Sequence, residues 1–304
     1  MVWINEKVDT HSLFFFFSNV NASSIFDYET EILIKNILND ISKANNFNKN
    51  IIFKILLDDH PNAFINEDSI LYISTGLIKY SGKYEALVGV LAHEVGHLIN
   101  FHILKRKESI KKINKISNLS NISLIAGSVI SNNSQHLAKS LITNQVSIQN
   151  YYTSFSRDQE READFYAVKT LNKMNLSTEP LINFLNLLEK KSIQQGFTND
   201  YYKFSSHPIY QERYDIINNN KNNNKKINNN NNIQLNYIRA KIFGYTEKNN
   251  RNYEEYLEDD FKIYAEAIIL SRNGKIEQSL KNLNYLIEKE KNNQFIIETK
   301  ADIL

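Results

Sequence analysis

A chain of 304 residues, 42% of them hydrophobic, can bury one sizeable core and a smaller appendage. A formal net charge of +2 is too near balance for a nucleic-acid binder, and the lack of cysteine excludes a disulfide framework, a thiolate nucleophile and a Cys-based zinc site. No run reaches the roughly 18 apolar residues of a membrane-crossing helix, so no transmembrane span is expected.

At the amino terminus Leu13-Phe14-Phe15-Phe16-Phe17, followed by Val20-Asn21-Ala22, reads as a short leader with a small-x-Ala cleavage pattern. Glu6 and Asp9 depart from the basic start of such segments, so residues 1–22 are read as a degenerate signal segment, with a buried strand as the alternative. Leu33, Ile37 and Ile41 recur at helical spacing and predict an amphipathic helix over 26–45. Residues 51–57, 63–65 and 70–74 read as short strands, the first two separated by a turn at Asp58-Asp59-His60-Pro61-Asn62. A long helix is expected over 83–107, with Leu87, Val90, Leu91, Val95, Leu98 and Ile99 at its apolar positions. Residues 118–150 mix polar and apolar side chains and are expected to lie as a helix over the site described next. A helix over 156–171, capped by Ser156 or Asp158, precedes another that carries Pro180 in its first turn and runs to 191. Almost pure Asn and Lys at 218–232 cannot bury enough apolar surface to offset ordering and is read as a linker. Beyond it, residues 233–304 form a helical tail. Here Tyr264, Ala265, Ala267, Ile268, Gly274, Leu280, Leu283 and Leu286 have the small-large spacing of a tetratricopeptide-like unit about an Asn273-Gly274 turn.

Chemistry concentrates in Val90-Leu91-Ala92-His93-Glu94-Val95-Gly96-His97-Leu98-Ile99. On a helix, His93 and His97 stand one turn apart on one face, so both imidazoles can reach one tetrahedral zinc. Glu94 points round the helix, where it can hold a water on the metal rather than the metal itself. Zinc lowers that water's pKa to about 7, and Glu94 can take the proton and pass it to a leaving amine. The competing reading, two stacked histidines beside a solvated glutamate, leaves the uncharged mid-helix flanks without a purpose. About 60 residues on, Glu160 and Asp164 share a helical face at i and i+4, while Glu162 faces elsewhere. One carboxylate of that pair can bind the metal while the other accepts a proton from a ligand imidazole, fixing its tautomer; a charged surface helix is the competing reading. His11, His60, His102 and His136 are not assigned to the metal, and His102, five residues past His97, is expected to turn away from it.

The histidine motif together with Glu160-Arg161-Glu162-Ala163-Asp164 resembles the gluzincin peptidases related to the CAAX prenyl protease and HtpX. Within them the resemblance is to the periplasmic BepA-type branch, which carries a carboxy-terminal tetratricopeptide region. Asn62-Ala63-Phe64, Gly76-Leu77-Ile78 and Ser206-His207-Pro208 add to it, over about residues 26–217. The resemblance implies an α+β, mostly α fold: a zincin-like metallopeptidase domain over 23–217 with a small sheet, then the linker and the tetratricopeptide-like tail. It implies one zinc per chain, held by His93, His97 and Glu160, with Asp164 behind a ligand and Glu94 as general base. It assigns Asn62, Ala63 and Phe64 to an edge strand along which an extended substrate lies. It makes His207 a regulatory metal contact that holds the enzyme latent, with a loop histidine before a proline as the competing reading. Two departures stand out: the turn after the edge strand is Asn66-Glu67-Asp68 rather than glycine, and the tail is shorter than the branch carries.

The function implied is zinc-dependent cleavage of unfolded or misassembled proteins in envelope quality control. The expected location is the periplasm, with the cytoplasm as alternative, and the outer-membrane assembly machinery is a candidate partner of the tail. The rival from another class is a non-proteolytic chaperone or adaptor, its zinc site structural or plugged by His207, acting through the helical tail.

Overall fold

The β-branched runs pair into a sheet. A computed structural model describes residues 2–4, 24–47, 50–105, 108, 155, 157–194, 207, 211–221, 229–247, 251–291 and 293–304. Strands β1 (Val2–Ile4), β2 (Ser24–Phe26), β3 (Ile52–Leu56), β4 (Ala63–Ile65) and β5 (Ile70–Ser74) form five strands in the order β1-β2-β3-β5-β4. β1 and β2 pair antiparallel, as do β2 and β3; β3 and β5 are parallel, with Ile52 opposite Ile70 and Leu56 opposite Ser74. Among the described residues β1 is one edge of the sheet, and β4, folding back antiparallel on β5, is the other. Its turn needs no glycine, because Asn66 Oδ1 accepts from the N–H groups of Asp68 and Ile70 at 3.1 and 2.9 Å, and Ser69 adopts φ +63°. β1 falls within the stretch expected as a leader, of which residues 1 and 5–22 lie outside the described ones, as does the covering segment 118–150.

Asp27 caps α1 (Tyr28–Ala44) by accepting from the Thr30 N–H, and the helix buries Leu33, Ile34, Ile37, Leu38 and Ile41 as one stripe. α2 (Thr75–Tyr80) follows β5 without a loop, its first turn held by Ser74 Oγ on the Leu77 N–H. Gly76 lies so close to the preceding turn that a Cβ there would meet the Asp59 carbonyl oxygen at 2.3 Å, which explains why that position of Gly76-Leu77-Ile78 carries no side chain. α3 (Tyr84–Ile99) buries Ala86, Leu87, Val88, Leu91, Ala92 and Val95 completely, the pattern of a helix surrounded on all sides. It packs on α1, on β4, and on α4 (Arg157–Lys173) and α5 (Glu179–Gln194). The helix expected over 83–107 thus stops eight residues short. Phe101 takes φ +56°, which an α-helix cannot accommodate, and residues 102–105 resume a helical turn on a new course.

After α6 (Gln211–Asn219), the Asn/Lys-rich stretch is not linker throughout, since residues 229–232 open α7 (Asn229–Thr246). Asn232 is buried, its Oδ1 accepting from the Tyr84 N–H at 2.9 Å and its Nδ2 donating to Glu85 at 3.1 Å. Composition foresees a solvated segment because it weighs polarity and cannot see that an asparagine with both ends bonded is stable inside. Residues 222–228 lie outside the described ones. α7 packs on α1, α2 and α3 and carries α9 (Asp259–Arg272), which follows the one-turn α8 (Tyr253–Tyr256). α10 (Ile276–Lys289) turns back on α9 after Gly274 at φ +75°, and α11 (Gln294–Ile303) closes the chain. Among the described residues no helix is long and apolar enough to cross a membrane.

Candidate metal centre

Helix periodicity places His93 and His97 on the face of α3 that meets α4, and α4 brings Glu160 and Asp164 to the same face from its first two turns. The close approach depends on Gly96, where a Cβ would lie 3.1 Å from Ala163 Cα and from Tyr166 Cβ on α4. His207 completes the group. His93, His97, Glu160 and His207 are all buried and offer donor atoms within 4.8 Å of one another.

The separations are those of a coordination shell. His93 Nε2 is 3.1 Å from His97 Nε2 and 3.2 Å from His207 Nδ1. Glu160 Oε1 is 2.8 Å from His207 Nδ1 and 3.5 Å from His97 Nε2, while its Oε2 is 3.4 Å from His93 Nε2. A tetrahedron with metal–ligand bonds of about 2.0–2.1 Å has edges of about 3.3–3.4 Å, which these distances bracket. Glu160 Oε2 is buried and makes no hydrogen bond among the described residues, although Arg213 Nη1 stands 3.4 Å away. Three ring nitrogens and a carboxylate converging on one point repel unless a cation or protons lie between them. Nitrogen and oxygen donors in this geometry suit zinc.

The surroundings set the charges. Burial alone would raise the carboxyl pKa of Glu160, but His207 and Arg213 outweigh it and hold it well below the usual carboxylate range. Asp164 is lowered in the same way, Arg213 and His93 overcoming its burial. Burial, helped by His207 and His93, lowers His97 well below the ordinary histidine value, so its ring is neutral and carries a lone pair. Burial also pushes His207 down, yet Glu94 and Glu160 beside it raise it to about 10. Glu94 Oε1 lies 3.0 Å from His207 Nε2. In this arrangement His207 faces the cluster with one nitrogen and Glu94 with the other.

Residues 29–221 match the family described as peptidase family M48. The chain belongs to peptidase family M48. Among relatives, Metalloprotease YcaL of Escherichia coli (strain K12) is 28% identical over 177 residues, which cover 57% of this chain and 64% of that protein. A beta-barrel assembly-enhancing protease of Yersinia pestis is 23% identical over 154 residues, 50% of this chain and 31% of that protein. The matched stretch is thus less than two thirds of either relative's own length.

Of the residues singled out from the motifs, His93, His97, Glu160 and His207 converge, and Glu94 and Asp164 each meet one of them. Asp164 Oδ1 sits 2.8 Å from His93 Nδ1, on the far side of that ring from the shared centre. Asn62, Ala63 and Phe64 belong to or abut the edge strand β4, which lies against α3. Asn62 exchanges hydrogen bonds with Ser74 through its backbone, and its buried Oδ1 has no hydrogen-bond partner among the described residues. His60 sits apart, on Asp58 in an exposed turn; His11 and His136 lie outside the described residues.

Three residues of this M48 site escaped the sequence. Arg213 grips Asp164 with two bonds of 2.8 Å from Nε and Nη2, and its own pKa is raised, burial being outweighed by Asp164 and Glu160. His102 does not turn away: its Nδ1 is 2.9 Å from His97 Nδ1. Glu162 is 3.0 Å from His102 Nε2. Nothing local marks Arg213, and the return of His102 hangs on one backbone angle.

Proposed function

We propose that the chain is a zinc-dependent endopeptidase acting on unfolded or misassembled proteins, in which His93, His97 and Glu160 hold the metal and Glu94 is the general base. The observation that carries the reading is the buried convergence of those three donors, from two helices, at spacings that fit a tetrahedral ion. Zinc, when bound, supplies Lewis acidity, making a water nucleophilic near neutral pH and polarising the peptide carbonyl. Glu94 accepts the proton of the attacking water and delivers it to the leaving amine. Asp164 accepts the Nδ1 proton of His93, which leaves Nε2 bare toward the cluster, and Arg213 keeps Asp164 ionised and aimed. β4 is an edge strand among the described residues, and an extended segment added along it would be held through backbone groups, so selectivity for side chains is loose.

His207 gives the site a latent state. Its Nδ1 stands where the fourth ligand of a tetrahedral ion would be, and its Nε2 faces the carboxylate of Glu94. A histidine so placed excludes substrate from the metal and occupies the base at once. The tail is read as a tetratricopeptide-like region that holds partners, on the strength of its paired 14-residue helices about Asn273-Gly274. The leader-like amino terminus and the name of the Yersinia relative support a place in the periplasm, in quality control of envelope proteins that includes the outer-membrane assembly machinery.

The test is turnover of casein by wild type, Glu94→Gln and His207→Ala, with zinc content measured alongside. Glu94→Gln is expected to keep its zinc and lose about 10²–10⁴ in rate, and His207→Ala to exceed wild type. Equal turnover by wild type and Glu94→Gln, or none by any form with zinc bound, favours an adaptor that works through the tail.

A further inference from the structure

His93 and His97 are equivalent in the sequence motif but not in the fold. Behind His93 stands a carboxylate, Asp164. Behind His97 stands another histidine. His102 is completely buried, its Nδ1 2.9 Å from His97 Nδ1 and its Nε2 3.0 Å from Glu162 Oε2. Phe155 stacks on the His97 ring at 3.9 Å and 26°, closing one face of it, so the edge toward His102 is where its second nitrogen finds a polar partner.

Proton bookkeeping along this line has one consistent solution when His97 binds a metal. An ionised Glu162 can only accept, so His102 carries its hydrogen on Nε2. A neutral His102 then has a bare Nδ1, which can accept but not donate. His97 must therefore carry its hydrogen on Nδ1, and its Nε2 is bare on the side where His93, Glu160 and His207 converge. The reverse assignment would place a hydrogen on His97 Nε2, pointing into the cluster, where a metal could not be held.

A second observation comes from the backbone. His102 would lie round the helix from His97 if α3 continued. It returns because α3 ends at Ile99, capped by Asn100, and Phe101 takes φ +56°, a conformation uncommon for any side chain but glycine or asparagine and rare for a bulky one. Such outliers persist where the surrounding structure over-determines them and gather at functional sites. What this one accomplishes is to bring the His102 ring back onto His97.

We propose that His102 is a positioning residue for the metal centre: it accepts the Nδ1 proton of His97, is itself anchored through Nε2 on Glu162, and so makes His97 present a bare Nε2 to the ion. This deepens the function proposed above and rests on its assignment of His97 as a ligand. Partners behind ligand histidines set metal affinity by about 10–100-fold, and Glu162–His102–His97 is the counterpart, one ring longer, of Asp164–His93.

The test compares zinc dissociation constants and release rates, by competition with a chromophoric chelator, for the full chain carrying His102→Phe, His102→Asn or no change. Phenylalanine keeps a ring among the aromatic neighbours but cannot accept, whereas the Asn carbonyl oxygen can take the place of Nδ1. The phenylalanine variant is expected to bind zinc about 10–100-fold more weakly and the asparagine variant to recover most of that loss, a rescue that mere packing would not produce. Wild-type affinity in His102→Phe, or equal loss in both variants, overturns the proposal. His97→Ala separates the layers: if it keeps wild-type zinc binding, the ligand assignment itself fails, and if it loses zinc while His102→Phe does not, only the relay fails. Should the phenylalanine variant not fold, Glu162→Leu gives the same reading from a half-exposed position. Severalfold faster zinc release is expected there, and an unchanged rate overturns the relay.

Discussion

Asp164, Glu160 and Arg213 form the charged floor of the metal centre, and their burial makes each depend on the others. Arg213 has only 8% of its side chain exposed, and it is a cation that meets both carboxylates. Removing one partner of a buried ion pair costs about 3–5 kcal/mol, because the charges left behind are neither hydrated nor neutralised. Arg213→Met is therefore expected to lower stability in urea by that amount in the metal-free chain. Saturating zinc should return part of the loss, since an ion on Glu160 replaces some of the missing charge and binds only the folded state. A loss under about 1 kcal/mol would mean that water reaches Asp164 once the guanidinium is gone. The contrast with Arg161 shows why this residue could not be read from sequence. Arg161 sits in the motif itself yet lies on the surface, pairing with Asp158 and Glu212, whereas Arg213 in an equally polar stretch is interior. His93, Glu94, His97, Glu160 and Asp164 were legible because each pair sits within one helical turn, a local periodicity; the approach of Arg213 to Asp164 is tertiary and leaves no local trace.

At the scale of elements, the site is the crossing of α3 and α4, and its tightness is set where Gly96 faces Ala163 and Tyr166. An added Cβ at 3.1 Å from the Ala163 backbone must push the helices apart by a few tenths of an ångström. Glu160 lies one turn before Ala163, so the shift moves it away from His93 and His97. Gly96→Ala is expected to destabilise by about 1–3 kcal/mol through overpacking, in spite of the roughly 1 kcal/mol that alanine gains in a helix interior. Zinc affinity should fall with it. Gly82→Ala is the control: at φ +74° with nothing within 4 Å, it strains the backbone alone, and zinc binding should not change. Equal zinc affinity in both variants would dissociate the helix crossing from the metal. Element identities came through from the pattern because apolar periods of 2 and 3.6 are local, as in β3, β5, α1 and α3. Ends were harder to see. α3 stops at Ile99 through the backbone angle of Phe101, and the edge-strand turn is closed by the Asn66 side chain where glycine is the residue the pattern looks for.

Across the whole molecule the tail is fixed to the sheet-bearing half by charges that composition alone does not reveal. Lys241 of α7, with 5% of its side chain exposed, meets Asp27 at 2.8 Å and Glu29 at 2.5 Å at the start of α1, and Glu298 of α11 at 3.7 Å. Three carboxylates around one ammonium leave an excess of negative charge. Asp27 resolves its share by being lowered, since Lys241 overcomes its burial. Glu29 goes the other way: burial and the hydrogen bond its protonated carboxyl donates to Glu298 raise it to about 7, Lys241 opposing only in part. In the unfolded chain Glu29 ionises near pH 4.3. Between about pH 4.3 and 7 the folded state therefore holds a proton that the unfolded state has released, and stability declines as pH rises through that window. The Asp27 contribution has the opposite sign and is lost only below about pH 3.9, outside that window. Glu29→Gln cannot ionise, so its stability relative to wild type should grow from pH 5 to pH 8, with most of the change complete just above 7. Urea midpoints for both chains at pH 5, 6, 7 and 8 measure it, and a difference constant across that range would show that Glu29 is already ionised at pH 5. Because Glu29 and Glu298 sit at opposite ends of the chain, the same titration should loosen α11 against α1 above pH 7, seen as faster amide exchange in α11 of wild type than of Glu29→Gln, beyond the intrinsic pH effect common to both.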